Sequence, residues 1–238
     1  RMRLPPVEVY GVPSGLAERS ALWARPDVAT RLWERLQGPS PPGSCLHEGL
    51  PLFALHGLAT RDDASELLAA AAFDAGREGG RRQAADLSRG NAAVRRIRRR
   101  IADAFGVSES LLEPLRLVHY SKRRDGFERH VDWIVDARDT QLALLGQRVA
   151  SGLLYLTDLP AGVGGETSFP RIGASVRPAL GLCLLWPNVD AQGRPLEDAE
   201  HEAEPLLADG VVKAAVNVWV RDRPLPADEQ TLGSLYLS

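Results

Sequence analysis

The chain has 238 residues, 44% hydrophobic and 25% charged, the balance of an ordinary globular domain and not of a disordered segment or a coiled coil. Its 29 Lys+Arg against 31 Asp+Glu leave a formal charge of −2, so no global basic field draws it to nucleic acid or to an anionic membrane surface. The longest purely apolar run, Leu67 to Phe73, is far shorter than a bilayer is thick; neither a nucleic-acid nor a membrane partner is expected.

Two cysteines, Cys45 in a Pro/Gly-rich stretch and Cys183 in an apolar run, support neither a disulfide framework nor a thiolate metal site. They favour a reducing, intracellular compartment, with targeting left open by a chain that starts Arg1-Met2. Among the basic residues only Lys122 and Lys213 are lysine.

In chain order, residues 1–38 carry two short helical patterns. Ser14 caps the first, with Leu16 and Trp23 behind it. Pro26 opens the second, with Leu32, Trp33 and Leu36 on its apolar side and Gly38 as its stop. The Pro-rich run 39–44 then breaks the pattern, so 1–44 is read as a helical extension with a linker. The main domain follows over 45–226, with helical support over 52–106 and a β-rich part over 113–222, and 227–238 is a tail. Thr60 with Asp63 starts a helix whose Ala64, Leu67, Leu68 and Ala71 share one face. The polar segment Gly76 to Gly90 has no periodicity and is read as a long loop. Asn91 begins a helix with Val94, Ile97, Ile101 and Phe105 on one side and Arg95, Arg96, Arg99 and Arg100 largely on the other, ending before Gly106.

From Leu115 the texture changes to short β-like runs: Leu115–Tyr120, Phe127–Trp133, Val149–Thr157, Thr167–Phe169, Ala174–Val176, Gly181–Trp186 and Val211–Val220. Strands without intervening helices predict an antiparallel sandwich or barrel, with the earlier helices packed outside one sheet. The fold class is therefore α+β.

His130-Val-Asp132 sets two metal-competent side chains at i and i+2, on one face of an extended chain. Alone, the pair also fits a hydrogen-bonded strand end. His201 adds a second imidazole, and two imidazoles with one carboxylate can occupy one face of an octahedral Fe(II) and leave three positions open. Lys213, in Val-Val-Lys-Ala-Ala-Val, needs an anionic partner if buried; on an edge strand it would simply face solvent. Both placements fit the segment.

These residues and their neighbours resemble the prolyl 4-hydroxylase-like 2-oxoglutarate- and Fe(II)-dependent dioxygenases. The resemblance runs from about Leu52 to Arg221 and is carried by Glu113–Tyr120, by Leu154-Tyr-Leu-Thr-Asp158 with Gly164-Gly-Glu-Thr-Ser-Phe-Pro-Arg-Ile-Gly173, by Val176-Arg-Pro178 with Gly181 and Trp186, and by Pro205, Lys213 and Trp219 after His201. It implies a double-stranded β-helix (jelly-roll) core. It further implies His130, Asp132 and His201 as iron ligands, and Lys213 as partner of the distal carboxylate of 2-oxoglutarate. Tyr120 and Thr167 would be further contacts to that co-substrate, with O2 consumed and ascorbate as an accessory reductant. Trp219 is expected in the barrel core. Three features depart from the family pattern: a longer interval from His201 to Lys213, Ala214 where an aromatic residue commonly follows the lysine, and the charged stretch Lys122–Asp125.

The resemblance implies a hydroxylase, with prolyl residues of a peptide or protein as the leading substrate. A free amino acid or other small metabolite is the alternative, its carboxylate met by Arg123, Arg124 or Arg129. A non-catalytic jelly-roll binding domain is the remote third reading. Oligomeric state is not legible.

Overall fold

The computed structural model describes residues 23–39, 42–73 and 82–228. The first expected helix, around Ser14 and Leu16, and the end of the tail lie outside them. Among the described residues the order is α1 (Pro26–Gln37), β1 (Ser44–His47), β2 (Leu52–Leu55), α2 (Arg61–Ala70), β3 (Gln83–Asp86) and α3 (Ala92–Phe105). Then come β4 (Arg116–Tyr120), β5 (Phe127–His130), α4 (Thr140–Leu145), β6 (Arg148–Tyr155), β7 (Thr167–Phe169), β8 (Ala174–Val176), β9 (Cys183–Pro187), β10 (His201–Ala203) and β11 (Lys213–Arg221).

The helices begin where their caps place them. Thr60 and Asp63 form a reciprocal capping box at α2, each side chain meeting the other's backbone N–H at 3.1 Å. Asn91 accepts from Ala93 and Val94 at the start of α3, and Gly106 closes it in the left-handed region at φ 67°. The arginines of α3 are partly structural. Arg96 and Arg100 both bind the buried Asp63, at 2.9 and 2.7 Å, which ties α3 to α2. Arg98 is buried and donates to the carbonyls of Glu109, Leu112 and Glu113.

The strands form two antiparallel sheets. One has seven strands in the order β1-β2-β9-β6-β11-β4-β3, the other four in the order β5-β10-β7-β8. Period-2 alternation sends successive side chains of the large sheet to opposite sides. Leu117, Leu154, Leu185, Val216 and Val218 join Leu32 and Leu36 of α1, Leu67 of α2 and Ile97 and Ile101 of α3 in one core. Val118, Tyr120, Tyr155, Leu184, Trp186 and Ala215 face the small sheet, where Phe169 completes a second core. Helices therefore cover one face of the large sheet, as expected. No helix among the described residues is long and apolar enough to cross a membrane.

Three expectations need correction. The segment read as a loop over 76–90 contains β3, which pairs with β4 from Gln83↔His119 to Asp86↔Arg116; residues 74–81 lie outside the description. Its alternation is too short and too polar to stand out, because an edge strand has one neighbour and a wet face. β1 and β2 were hidden in the Pro/Gly-rich region for the same reason of length. The strand containing His130 stops there, and Asp132 follows in a bend. Between β5 and β6 lies α4, capped by Asp139.

Candidate metal centre and its cavity

His130 and His201 are brought together by strand pairing, as register partners across β5 and β10. Their rings lie 4.3 Å apart between centroids. Asp132 meets both: its Oδ1 is 3.7 Å from His130 Nε2 and its Oδ2 is 3.6 Å from His201 Nε2. One ligand atom from each residue can be chosen so that all three lie within 4.8 Å of one another, the spacing of donors that can share one ion.

The imidazoles are oriented from behind. Nδ1 of His130 faces the carbonyl of Glu128 at 2.8 Å, and Nδ1 of His201 that of Ala199 at 2.9 Å. A carbonyl only accepts, so each Nδ1 carries a proton, and in the neutral ring it is Nε2 that presents the lone pair. Burial, with the neighbouring His201, pushes the His130 pKa down to about 4, so that ring is neutral at physiological pH. Burial works the other way on the Asp132 carboxyl, yet His201, His130, Arg148 and the Ser151 hydroxyl together hold its pKa below the usual range. Two imidazoles and one carboxylate suit a divalent first-row transition metal, which gains more from imidazole than Mg²⁺ or Ca²⁺ does.

The triad opens into a cavity lined also by Arg82, Tyr120, Thr167, Trp186, Glu202, Lys213 and Asn217. Lys213 starts β11 opposite Tyr120 of β4 and is 2% exposed; the solvent-facing placement is thereby corrected. Its ammonium is 3.5 Å from Thr167 Oγ1 and lies 5.5 and 5.9 Å from the ring centres of Tyr120 and Tyr155. Among the described residues no carboxylate comes within ion-pair distance of it. Burial pushes its pKa down to about 7, against the opposing field of Glu166 and Glu204. The longer interval after His201 is taken up before β11 begins, where Leu206 and Leu207 are tied by backbone hydrogen bonds to Asp125 and Val163.

The motif Gly164-Gly-Glu-Thr167 has a structural reason for its glycines. Both adopt positive φ, 72° and 82°, and a side chain on Gly165 would press on Leu159 and Leu206 and approach the Lys213 stem. Thr167 and Tyr120 both line the cavity. Thr167 accepts from the Tyr155 hydroxyl at 2.7 Å. Burial raises the Tyr120 pKa, which keeps its phenol protonated. Trp219 was expected in the core and instead lies half-buried beneath the Arg148 guanidinium, 3.9 Å from its ring centre.

Sequence reasoning missed several residues that line the cavity or stand behind its lining. Ser151 donates to Asp132 Oδ2 at 2.6 Å, and it was legible as a lone hydroxyl in an apolar strand. Tyr155 was equally visible in the run Leu-Tyr-Leu. Arg82, whose guanidinium stacks over Phe127 at 3.4 Å, and Asn217 carry no such signal. Arg123, Arg124 and Arg129 do not line the cavity; Arg129 pairs with Glu202 at 3.4 Å and Arg123 donates to the Leu207 carbonyl.

No family model matches the chain. It is, however, similar to human prolyl 4-hydroxylase subunit alpha-1, with 36% identity over 135 residues, which covers 56% of this chain and 24% of that protein. The chain thus spans about a quarter of the length of the curated relatives it matches. Its fold is similar to that of the viral collagen prolyl hydroxylase of Paramecium bursaria Chlorella virus-1, solved as a 2-oxoglutarate complex. That likeness has a TM-score of 0.58 and 20% identity over 75% of this chain and 98% of the viral one. A prolyl-4-hydroxylase from Pseudomonas putida gives a TM-score of 0.50 and 18% identity over 82% and 99% of the two chains. The resemblance read from the motifs is borne out by these comparisons.

Proposed function

We propose that the chain is a 2-oxoglutarate- and Fe(II)-dependent hydroxylase acting on prolyl residues of a peptide or protein, built on a double-stranded β-helix formed by the two facing sheets. One observation carries the reading. The cavity holds at once a three-donor metal cluster and a buried ammonium that, among the described residues, has no carboxylate within ion-pair distance. A ligand that chelates a metal at one end and offers a carboxylate at the other answers both needs, and 2-oxoglutarate is such a ligand.

The residues fit both groups. His130, Asp132 and His201 would hold the iron, and Lys213, with Thr167 and Tyr120 beside it, would hold the distal carboxylate. When bound, the pair supplies the oxidising power that turns O2 and a C–H bond into succinate, carbon dioxide and an alcohol. The protein's share is positional. Glu128 and Ala199 hold each imidazole so that Nε2 points into the cavity. Tyr155 and Lys213 both donate to Thr167 Oγ1, which leaves the Thr167 proton to donate to a ligand oxygen. Trp186 and Phe169 pack edge-on against each other at 5.1 Å beside the His201 ring and keep water from that side. Such fixed placement turns encounters into an intramolecular reaction.

The peptide reading is favoured over a small metabolite because Arg123, Arg124 and Arg129, expected to meet a free carboxylate, do not line the cavity, and because the relatives named above are prolyl hydroxylases. The experiment is succinate release from the Fe(II)-loaded chain, given 2-oxoglutarate and either proline-containing peptides or free amino acids. Succinate formed in step with a 16-Da gain on the peptide is the expected result. Succinate formed only with free amino acids would move the substrate to the metabolite class, and none with any substrate would overturn the proposal.

A further inference from the structure

The two oxygens of Asp132 are not equivalent. Ser151, in the middle of β6, donates from Oγ to Oδ2 at 2.6 Å, and Asn188, one residue past β9, donates from Nδ2 to Ser151 Oγ at 2.8 Å. Oδ1 accepts no side-chain hydrogen bond among the described residues and lies 3.7 Å from His130 Nε2. All three side chains are buried, Asn188 completely. A serine hydroxyl has one proton, and a carboxylate can only accept, so the proton goes to Asp132 and the Ser151 lone pair faces the Asn188 amide N–H. The opposite amide orientation would set two acceptors on one proton. The sense of the relay is therefore fixed.

Its supports are rigid. Ser151 sits in a strand paired on both sides, opposite Trp186 of β9 and Trp219 of β11. The Asn188 backbone is held by hydrogen bonds to Val149 and from Leu196, at 2.8 and 2.9 Å. Oδ1 of the Asn188 amide has no partner among the described residues, an unfavourable burial that the fold accepts while the N–H is aimed at Ser151. Neither residue is needed for the strand pairing itself, which runs through backbone atoms.

We propose that Ser151 and Asn188 are positioning residues for the metal: by occupying Oδ2 they fix the Asp132 carboxylate so that it donates to the ion through one oxygen, the one they leave free. This rests on the metal-site reading above. Without the relay the carboxylate can rotate and offer both oxygens, which changes the number of positions left for other ligands and removes the preorganisation of the pose.

The test uses the full chain and metal alone, with Mn(II) affinity by calorimetry and Co(II) binding by visible absorption, which reports ligand number. Ser151→Ala should weaken Mn(II) by about 10- to 100-fold and alter the Co(II) spectrum. Asn188→Ala, which never touches the carboxylate, should produce the same spectral change with a smaller loss. Ser151→Thr, which keeps the hydroxyl, should restore both. If Ser151→Ala does not fold, as judged by thermal unfolding without metal, the Asn188→Ala spectrum decides. Wild-type affinity and an unchanged Co(II) spectrum in either alanine variant would overturn the proposal. Should the wild-type chain bind neither ion, or should His201→Ala bind as well as wild type, the metal-site reading falls and the positioning role falls with it.

Discussion

Lys213 is the residue on which sequence and structure together say most. In sequence it interrupts an apolar run; in the fold that interruption points into the cavity because β11 alternates, with Lys213, Ala215 and Asn217 lining it and Ala214, Val216 and Val218 in the helix-side core. Its pKa falls from 10.5 in the unfolded chain to about 7 because burial disfavours the charge. The unfolded state thus binds more protons between these values, so the ligand-free protein should gain stability as pH rises from 7 towards 10.5 and show no Lys213 contribution to the slope below 7. Co-substrate binding should run the opposite way. An anion needs the protonated ammonium, so affinity for 2-oxoglutarate should weaken above pH 7, by up to about tenfold per unit. Lys213→Met should bind 2-oxoglutarate about 30-fold or more weakly, lose this pH dependence, and unfold at the same or a higher denaturant concentration, since a buried charge is replaced by an apolar chain. Urea titrations and calorimetry at pH 6, 7 and 9 check all three.

Among elements, the capped pair α2 and α3 is the brace behind the large sheet. Asp63 ends the capping box of α2 and receives Arg96 and Arg100 of α3. Burial opposes its ionised form, but the Thr60 backbone, Arg100, Arg96 and the Thr60 hydroxyl hold its pKa well below the usual 3.8. Its contribution is present above that value and is lost as pH falls further. Asp63→Ala should cost at least about 1–2 kcal/mol from the cap alone, should flatten the acid side of the stability profile, and should leave Mn(II) affinity unchanged because no cavity residue moves with it. Denaturant unfolding at pH 7 and pH 3, with a metal titration, reads each effect. The helices were legible because caps and a 3.6-residue apolar period are local signals. β10, three residues long, and β3 were not, because such strands exist only through partners distant in sequence.

At the scale of the molecule, the sandwich of two sheets with helices behind one was legible from the spacing of seven β-like runs, and the three metal donors from residue type and from motif resemblance. What sequence could not carry was convergence: that His130 and His201 become register partners, that Asp132 reaches them from a bend beyond the strand, and that Ser151 and Asn188, thirty-seven residues apart, meet behind it. These placements depend on how β5, β6, β9 and β10 stack, which no local pattern encodes. Arg221, the other cation on β11, is excluded as an anchor only by the fold. It is fully buried against Glu113 and the Gly146 carbonyl and lines no part of the cavity.

The central claim is that the triad and Lys213 are two ends of one binding site. Sequential calorimetry tests it most directly, with Mn(II) titrated first and 2-oxoglutarate second, under conditions that prevent turnover. Wild type should bind the ion, and should bind 2-oxoglutarate far more tightly with the ion present than without it. His201→Ala should lose both steps, whereas Lys213→Ala should keep the first and lose the second. A Lys213→Ala chain that binds 2-oxoglutarate as tightly as wild type, or a His201→Ala chain that keeps wild-type Mn(II) affinity, would contradict the account.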